Sequence, residues 1–425
     1  MRNIPHGALR FLEALLGLGL RRLVRWPPVA TTITEEEMVA RTEGYNEAAE
    51  RYFAEYSNPE SLLAKPFSDA LHCPQYLFNL GVLFHGLKVS PGDLVVEMGA
   101  GSCWVSHFLN RYGCPTVSVD ISPTALELGR KLFERSSATR WDLEPRFLPY
   151  GGHRLPLADA SADRMVWNDA FHHVPNQREL LREMARVLRD DGIVAMCEPG
   201  RVHSATADSR REMEETGVLE NDIVVEDLER TALECGFSRV TLLPLTLEST
   251  PEIPAAGLRD FLTGHGVLRY WARWSTALLS GHFILLYKGE WRPTTRKPGR
   301  LLAEIARTDG GPRLAVRTGE RAAIRCRITN RGDTRWLHHE RDDFGCARLG
   351  AHLYPAGSAR AGDNFDWHRT ELPRAIDPGE SVELEVRFPP LAAGRYRVVL
   401  DMVAEHVTWF AQRTSPVLEL ELEVG

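Results

Sequence analysis

The sequence predicts an α/β domain built on a mostly parallel sheet, followed by an all-β sandwich domain. Its 425 residues leave room for two or three domains, each with its own core. From about 93 to 199, short apolar runs rich in β-branched residues alternate with helical patterns, which is typical of parallel strands joined by crossover helices. Beyond about 312, short alternating strands are broken by turns, which favours an antiparallel sandwich of about seven strands.

The first 30 residues predict an amphipathic helix. Over 8–26, arginines and leucines recur at three- and four-residue steps, and Pro27-Pro28 ends the pattern. The run of ~20 apolar residues that a membrane-spanning helix needs is absent from this stretch. Two interpretations stay open: the helix lies on an anionic lipid surface, which its arginines and Trp26 suit, or it packs against the protein's own body.

The predicted α/β domain spans residues 31–292. It opens with one or two helices over 35–56, acidic at their start as the helix dipole prefers. Strands are expected at 94–98, 116–120, 165–168, 193–198, 239–245 and 282–289, with helices at 177–189 and 225–237. A mostly helical insert at about 255–280 carries the aromatic residues Phe261, Tyr270, Trp271 and Trp274. These aromatics either form a lid over a substrate or pack in the core, and packing is the simpler expectation.

A stretch rich in Pro, Gly and Arg over 293–312 predicts a linker to the second domain. The sandwich then spans 313–425, with its clearest strands at 322–328, 346–354, 381–388, 396–403 and 417–424. Trp336, Tyr396 and Trp409 are expected in its core. Trp367 and Phe410 lie near turns, where they either pack inside or stack on a sugar from the surface.

The formal net charge of −7 is unevenly distributed along the chain. Residues 1–26 carry a net charge of +4, residues 27–309 carry −10, and residues from 310 onward carry −1. An acidic body is a poor partner for a polyphosphate backbone, so the sequence argues against nucleic-acid binding. The seven cysteines are odd in number and lack CxxC spacing, which favours thiols in a reducing, cytoplasmic compartment.

The residues most informative about chemistry are VVEMGAGSCWVS at 95–106. A buried strand delivers Glu97, and Gly99 and Gly101 then turn the chain tightly into a helix whose first N–H groups can face a ligand. A second strand ends at Asp120, about twenty residues on, where a carboxylate can accept both hydroxyls of a ribose. The alternative for Asp120 is a cap on the helix that starts after Pro123.

On these motifs, the chain resembles the class I S-adenosylmethionine-dependent methyltransferases over roughly 40–290. Besides the glycine turn, VSVDIS (117–122), LPLADASADRMVWNDAFHHV (155–174) and LLREMARVLRDDGIVAMCEPG (180–200) match successive motifs of that family in order and spacing. The resemblance implies a Rossmann-like fold with a mostly parallel seven-stranded sheet. It also implies S-adenosyl-L-methionine as the cofactor, released as S-adenosyl-L-homocysteine.

The resemblance further implies which residues hold the cofactor. Glu97, Gly99, Gly101 and Ser102 would line its methionine end, Asp120 its ribose, Ile121 its adenine, and Asn168 the methionine part or the transferred methyl group. The family often has an acidic residue that contacts the adenine after the third strand, whereas this chain has Gly151 or Gly152 there. Adenine recognition is therefore expected from the backbone or from His153.

The candidate catalytic residues are His172, His173 and Asp169, directly after a predicted strand. A hydroxyl acceptor must lose its proton during methyl transfer, and a nearby histidine is the usual base. The alternative is that these histidines only pack or cap the turn. No metal site is predicted: HHERDD at 338–343 has metal-capable side chains, but a solvated loop explains it more simply.

The predicted sandwich resembles an Ig-like module found beside bacterial glycosyltransferases and methyltransferases of surface-polysaccharide pathways. Matching stretches include ITNRGDTRW (328–336) and WHRTELPRAIDPGESVELEVRFPP (367–390). This resemblance implies that the sandwich binds, orients or dimerises.

The two resemblances together predict O-methylation of a saccharide or of a glycolipid or surface-polysaccharide precursor. The reaction is expected in the cytoplasm, with peripheral contact to the inner face of the plasma membrane through 8–26. Two alternatives stay open. The first is a methyltransferase of a lipid, quinone or secondary metabolite, and the second is a non-catalytic scaffold in a glycan-assembly complex.

Overall fold

The computed structural model describes residues 27–31, 33–247, 252–339, 343–355, 357 and 366–425, without the side chains of 267–269. These residues divide into two units. The first contains the described residues up to Val89 together with those of Asp93–Glu290. The second contains Ser90–Gly92 and the described residues of Trp291–Gly425. The helix predicted over 8–26 lies outside the described residues.

Four helices precede the sheet of the first unit: α1 (Glu35–Val39), α2 (Thr42–Ala54), α3 (Pro59–Leu63) and α4 (Cys73–Leu87). A capping box starts α1, because the Thr34 hydroxyl accepts from the Glu37 N–H while the Glu37 carboxylate accepts from the Thr34 N–H. The helices predicted over 35–56 are thus confirmed as two, α1 and α2.

A seven-stranded sheet organises the first unit. Its strands are β1 (Val95–Met98), β2 (Thr116–Asp120), β3 (Arg146–Pro149), β4 (Ala162–Asn168), β5 (Leu188–Pro199), β6 (Arg239–Leu243) and β7 (Gly281–Tyr287). Their spatial order is β3-β2-β1-β4-β5-β7-β6. The strands β1 to β5 pair in parallel, and β7 runs antiparallel to both β5 and β6. The predicted Rossmann-like, mostly parallel seven-stranded sheet is therefore confirmed.

Helices connect these strands, and most of them bury one face. They are α5 (Trp104–Tyr112), α6 (Pro123–Arg135), α7 (Gln177–Val187), α8 (Ala207–Thr216), α9 (Val225–Glu234), α10 (Leu258–Leu262) and α11 (Val267–Ser280). In α7, Leu180, Leu181 and Met184 recur at helical spacing and are buried in the core of the unit. No described helix is both long and apolar enough to cross a lipid bilayer.

The third strand, β3, was not among the strands predicted from the sequence. β3 has only four residues, two of them exposed, and it forms one edge of the sheet. A short edge strand has neither a continuous apolar run nor a full period of alternation. By contrast, all four residues of β1 are buried, which matches the apolar run around Glu97.

The second unit consists of two sheets that share one core. Its strands are β8 (Ala303–Arg307), β9 (Arg313–Val316), β10 (Ala323–Asn330), β11 (Ala347–Pro355), β12 (His368–Glu371), β13 (Ser381–Arg387), β14 (Gly394–Ala404), β15 (Thr408–Trp409) and β16 (Leu418–Val424). One sheet has the order β13-β10-β8, and the other has the order β12-β11-β14-β16-β9, with β15 paired to β14. Side chains of both sheets, such as Ile324 and Leu400, lie in one hydrophobic cluster around Trp336. The predicted all-β architecture is confirmed.

The linker predicted over 293–312 is instead part of the second unit. It contains β8, and Leu301 and Ala303 are buried in the core of that unit. Prolines and glycines mark turns between short strands as well as linkers, so composition alone could not separate the two cases.

The aromatic residues of the second unit follow the expectations only in part. Trp336 is fully buried, whereas Tyr396 and Trp409 are only half-buried. Phe410 is not exposed for stacking on a sugar: it is fully buried, with its ring centroid 5.4 Å from that of Trp336. Trp367 is half-buried and stacks on Phe388 at 4.9 Å.

Candidate active site

A cavity of about 360 Å³ opens at the carboxyl ends of β1, β2 and β4. The strand order reverses between β1 and β4, and open α/β sheets bind ligands in the crevice at such a switch point. All seven residues predicted to hold a cofactor line this cavity, as do the three predicted catalytic residues. The fold thus brings all ten candidates into one place.

The turn after β1 requires glycine at two positions. Gly99 and Gly101 have φ values of +58° and +50°, in the left-handed region that glycine adopts without steric cost. A Cβ on Gly99 would lie 2.7 Å from the Cβ of Ala170 and 3.2 Å from the ring of Trp167. The turn therefore packs tightly against the end of β4, and its backbone borders the cavity.

Glu97 and Ser102 flank this turn and make different contacts. Glu97 is buried, and its Oε2 accepts from the Ser106 N–H at 2.8 Å. Burial raises the pKa of Glu97 to about 8, against the opposing effect of that hydrogen bond. The Ser102 hydroxyl donates to the carbonyl oxygen of Leu62 at 2.9 Å, so it anchors the turn to α3.

Asp120 ends β2 and holds two turns together. Its Oδ2 accepts from the Gly101 N–H and its Oδ1 from the Ser122 N–H, both at 2.8 Å. Burial raises the pKa of Asp120 to about 6, although these hydrogen bonds lower it. Asp120 does not cap α6 itself, because the Ser122 hydroxyl takes that role by accepting from the Ala125 N–H.

Glu50, which was not predicted from the sequence, joins two helices next to this part of the site but does not itself line the cavity. Glu50 lies on α2, and its two carboxylate oxygens accept from the hydroxyls of Ser122 and Thr124, each at 2.5 Å. The bonds fasten α2 to the start of α6, beside Ile121. No motif marks this residue, since its partners lie more than 70 positions away.

The expectation for His153 is wrong. The histidine is half-exposed, pairs with Glu179 at 2.9 Å, and does not line the cavity. Gly152 does line it, and a Cβ there would lie 2.5 Å from Asn46 Nδ2. The lining beside Ile121 is therefore formed by the backbone at Gly152 and by the side chains of Asn46 and Tyr150, which the sequence did not single out.

Asn168 is the last residue of β4, Asp169 follows it, and both line the cavity. The Oδ1 of Asn168 is buried and has no hydrogen-bond partner among the described residues. Asp169 has a φ of +57°, and its N–H donates to the carbonyl oxygen of Cys197 at 2.8 Å. The left-handed backbone at Asp169 turns the chain sharply after the strand, so that Asp169 and the residues that follow also line the cavity.

Glu198, at the end of β5, organises the histidine turn. Its carboxylate accepts from the N–H groups of Ala170, Phe171 and His172 at 3.0–3.3 Å and from His172 Nδ1 at 2.9 Å. Burial lowers the pKa of His172, but the hydrogen bond and the negative charge of Glu198 outweigh it and raise the pKa to about 9. Glu198 is therefore a positioning residue for His172.

Glu220 lies between three histidines. His203 Nε2 is 2.5 Å from Glu220 Oε2, and His173 Nδ1 is 3.3 Å from Glu220 Oε1. His173 Nδ1 also lies 2.6 Å from the carbonyl oxygen of Leu219. Because a carbonyl can only accept, this contact places the proton on Nδ1 and leaves a lone pair on Nε2. Burial lowers the pKa of His173 to about 4, and the neighbouring charge of His172 adds to that effect.

The cavity is covered by the N-terminal helices and their loops. Tyr52, Lys65, Tyr76 and Trp104 line this side, and the Lys65 ammonium lies 5.5 Å from the ring centroid of Tyr76. Burial lowers the pKa of Lys65, whereas the charges of Asp169 and Glu212 raise it.

The insert at 255–280 does not form a lid. No described residue of the insert lines the cavity. Among its aromatics, Phe261 and Tyr270 contact each other edge to face at 6.0 Å, and Trp274 donates to the carbonyl oxygen of Pro244. Phe261, Tyr270, Trp271 and Trp274 are half-buried, so full core packing is not observed either.

Comparison with known proteins supports a methyltransferase domain. Residues 96–196 match the family model described as a methyltransferase domain. A demethylmenaquinone methyltransferase of Tropheryma whipplei is 30% identical over 112 residues, which covers 26% of this chain and 44% of that protein. A "probable S-adenosylmethionine-dependent methyltransferase" of Mycobacterium tuberculosis is 25% identical over 172 residues, covering 40% and 56%.

Among solved structures, phosphoethanolamine N-methyltransferase 2 of Haemonchus contortus, in complex with S-adenosyl-L-methionine, has a TM-score of 0.38 at 15% identity. That match covers 61% of each chain. The chain spans about half the length of the curated relatives it matches. The family match and these relatives support a methyltransferase domain whose cofactor is S-adenosyl-L-methionine.

Proposed function

We propose that the protein is an S-adenosylmethionine-dependent methyltransferase that methylates a hydroxyl group of a saccharide or of a glycolipid precursor. The observation that carries this proposal is that the lining of the cavity combines two chemically different groups of residues. The first group, the cofactor half, follows β1 and β2 and consists of the glycine turn, Asp120 and Ile121. The second group, the acceptor half, consists of Asp169, His172 and His173 after β4 and of His203, Glu212 and Glu220 after β5. Asn168 ends β4, the strand next to β1 in the sheet, and also lines the cavity.

The cofactor half suits S-adenosyl-L-methionine. Each Asp120 oxygen accepts one backbone N–H and keeps a lone pair for a ribose hydroxyl. The buried Oδ1 of Asn168 lacks a partner among the described residues, and a ligand donor such as an ammonium group would satisfy it. We assign cofactor binding to the seven predicted residues, Glu97, Gly99, Gly101, Ser102, Asp120, Ile121 and Asn168.

The chain's own residues then have two tasks. The bound cofactor supplies a methyl group that is already activated on a sulfonium. Alignment of the acceptor with that group is the larger task, because correct orientation alone can account for several kcal/mol of a barrier. The second task is removal of the proton from the acceptor hydroxyl, which we assign to the group of His172, His173 and Asp169. Within this group His173 Nε2 or Asp169 accepts the proton, and His172, whose pKa is raised to about 9, contributes its positive charge.

The acceptor half favours a polyhydroxylated ligand. Its lining combines the charged residues Lys65, Asp169, Glu212 and Glu220 with the rings of Tyr52, Tyr76 and Trp104. Sugar hydroxyls can satisfy buried carboxylates, and sugar faces pack on aromatic rings. A quinone or a hydrocarbon chain would shield Lys65, Asp169 and Glu212 from water without offering them hydrogen bonds, which is energetically costly.

The remaining parts of the proposal concern the rest of the chain. We assign the second unit, through its resemblance to Ig-like modules of polysaccharide pathways, to binding or orienting the glycan. Contact of residues 8–26 with the inner face of the plasma membrane is also part of the proposal.

The test is transfer of labelled methyl groups from S-adenosyl-L-methionine into extracts separated into glycan, lipid and quinone fractions. We expect label in the glycan fraction, with an equivalent amount of S-adenosyl-L-homocysteine formed. Label confined to the lipid or quinone fraction would overturn the acceptor class and keep the methyltransferase. A folded protein that neither transfers label nor binds the cofactor would be the non-catalytic scaffold.

The same assay examines the proton-handling group. His172→Ala and His173→Ala should each lower turnover by about 100-fold, the lower range for loss of acid–base catalysis. His153→Gln is the matched control, because that histidine pairs with Glu179 outside the cavity. Turnover within about threefold of wild type in both cavity variants would contradict the assignment.

A further inference from the structure

We propose that His172, His173 and Glu220 bind a divalent transition-metal ion of the zinc type on the acceptor side of the cavity. One ligand atom from each of the three residues lies within 4.8 Å of the other two. His172 Nε2 is 3.8 Å from Glu220 Oε2, and all three residues line the cavity. Two imidazoles with one carboxylate is a ligand set of catalytic zinc sites, which keep a further position open.

Each of the three ligands is already oriented by a neighbour. Glu198 accepts from His172 Nδ1 at 2.9 Å, which directs Nε2 away from that contact. The carbonyl oxygen of Leu219 accepts from His173 Nδ1 at 2.6 Å, and His203 Nε2 lies 2.5 Å from Glu220 Oε2. Metal-binding histidines commonly donate their second N–H to a carboxylate or a carbonyl, and ligating carboxylates are in turn hydrogen-bonded. The whole supporting shell of such a site is therefore present.

The charges around the cluster also favour a cation. The side chains of Glu198 and Glu220 are at most 3% exposed, and Asp169 and Glu212 lie near the same histidines. The ring of His172 lies 3.9 Å from that of His173 and 4.7 Å from that of His203, measured between centroids. Three imidazoles so close together repel one another when protonated, whereas one divalent ion can neutralise both buried carboxylates.

The proposal that a metal ion binds here is based on this geometry. The role of the ion in catalysis rests on the proposed function. A divalent ion at this position can polarise an acceptor hydroxyl and lower its pKa. In that case His172 and His173 both act as ligands, and Asp169 remains beside the site to take up the proton. The proposal departs from the sequence-based expectation that no metal is bound. The ligands come from two separate segments with no recognisable spacing, so only the fold brings them together.

The test is titration of the full-length, chelator-treated protein with Co²⁺. Binding is monitored by the visible d–d absorption of the bound cobalt ion. We expect one equivalent per chain to produce the band and Zn²⁺ to displace it. Glu220→Gln removes a ligand at constant shape and should abolish the band. His203→Gln removes the imidazole that contacts Glu220 but no ligand of the ion, and it should weaken binding by about 10- to 100-fold. This second variant decides the question if Glu220→Gln does not fold.

A second cluster provides the matched control. His339, Asp343 and Cys346 in the second unit also place ligand atoms within 4.8 Å of one another. His339→Gln should leave the cobalt band unchanged. A band that survives Glu220→Gln but is lost in His339→Gln would overturn the proposal, as would no band in the wild-type protein.

Binding of S-adenosyl-L-methionine is measured on the same samples by calorimetry. Glu220→Gln should keep this binding, because Glu220 lies on the acceptor side. A protein that binds the cofactor but no Co²⁺ refutes the metal site alone. A protein that binds Co²⁺ but no cofactor refutes the proposed function alone.

Discussion

At the scale of single residues, two buried carboxyl groups make ligand binding in the cavity depend on pH. Burial raises the pKa of Glu97 to about 8 and that of Asp120 to about 6, because few polar neighbours replace the lost water. Both groups face a ligand that we propose to be positively charged and to donate hydroxyl hydrogens. Binding should therefore favour their ionised forms and be linked to proton release.

This linkage predicts that the affinity for S-adenosyl-L-methionine rises with pH. Protonated Asp120 loses acceptor capacity, so with a pKa of about 6 the protonation of this group alone should make the dissociation constant about tenfold larger at pH 5 than at high pH. Glu97 should add a further step in the same direction near pH 8. Calorimetry over this range measures the effect.

Asp120→Asn is the control for this dependence, because the amide does not titrate. The variant should lose the step near pH 6 and keep the one near pH 8. A dissociation constant for the wild-type protein that does not change between pH 5 and pH 8 would contradict the ionised Asp120 contact.

Residues that follow strands could be predicted, and residues brought in by tertiary packing could not. Glu97, Asp120 and Asn168 lie in or directly after apolar runs, and parallel strands end at one edge of a sheet. Glu50 and Glu220 lie in segments without a motif. Glu220 lines the cavity only because the loop before α9 folds over it, and Glu50 contacts Ser122 only because α2 packs against the start of α6. Polar residues on helices and loops have many other uses, so their types alone carried no signal.

At the scale of elements, the turn from β1 to α5 is the part of the fold on which the site depends most. It contains two glycines with positive φ, and its backbone contacts both Asp120 and the end of β4. A side chain at Gly99 would collide with Ala170 and Trp167, both of which precede the histidine turn. Displacement of this element should therefore disturb both halves of the cavity.

Gly99→Ala should consequently destabilise the first unit and abolish cofactor binding. Overpacking of a buried site together with an unfavourable left-handed backbone should cost about 2–4 kcal/mol. Chemical denaturation measures the change in the free energy of unfolding, and calorimetry measures the loss of binding.

Gly81→Ala in α4 is the matched substitution, since a Cβ there meets no atom within 4 Å. It should be neutral or stabilising by up to about 1 kcal/mol, because alanine suits a helix interior better than glycine does. If Gly99→Ala were as well tolerated as Gly81→Ala, the turn would not have the importance we give it.

The element patterns were more predictable than the element boundaries. The helices at 177–189 and 225–237 appear as α7 and α9, because their apolar residues recur at helical spacing. β3 and β8 were missed, the first because it is short and half-exposed, the second because it lies in a stretch rich in proline and glycine. Pairing with neighbouring strands stabilises both strands, and this pairing cannot be recognised in the residues of the strand itself.

At the scale of the whole molecule, the proposed site lies in only one of the two units. The proposed cofactor-binding and catalytic residues all belong to the first unit, whose sheet order creates the switch point. The net charge of −10 over residues 27–309 is consistent with a small or uncharged acceptor and argues against a polyanionic one. The fold class of both units could be predicted, because periodicity of apolar residues is a property of long stretches.

The most direct test of the central claim is calorimetric titration of the full-length protein with S-adenosyl-L-methionine. We predict one site per chain, weakened by about 10- to 100-fold in Asp120→Ala, since loss of hydrogen bonds to a charged group costs roughly 1.5–3 kcal/mol. Asp142→Ala is the control, because that exposed carboxylate pairs only with Arg140 among the contacts found for it and does not line the cavity. No binding by the folded wild-type protein, or equal binding by Asp120→Ala, would contradict the account.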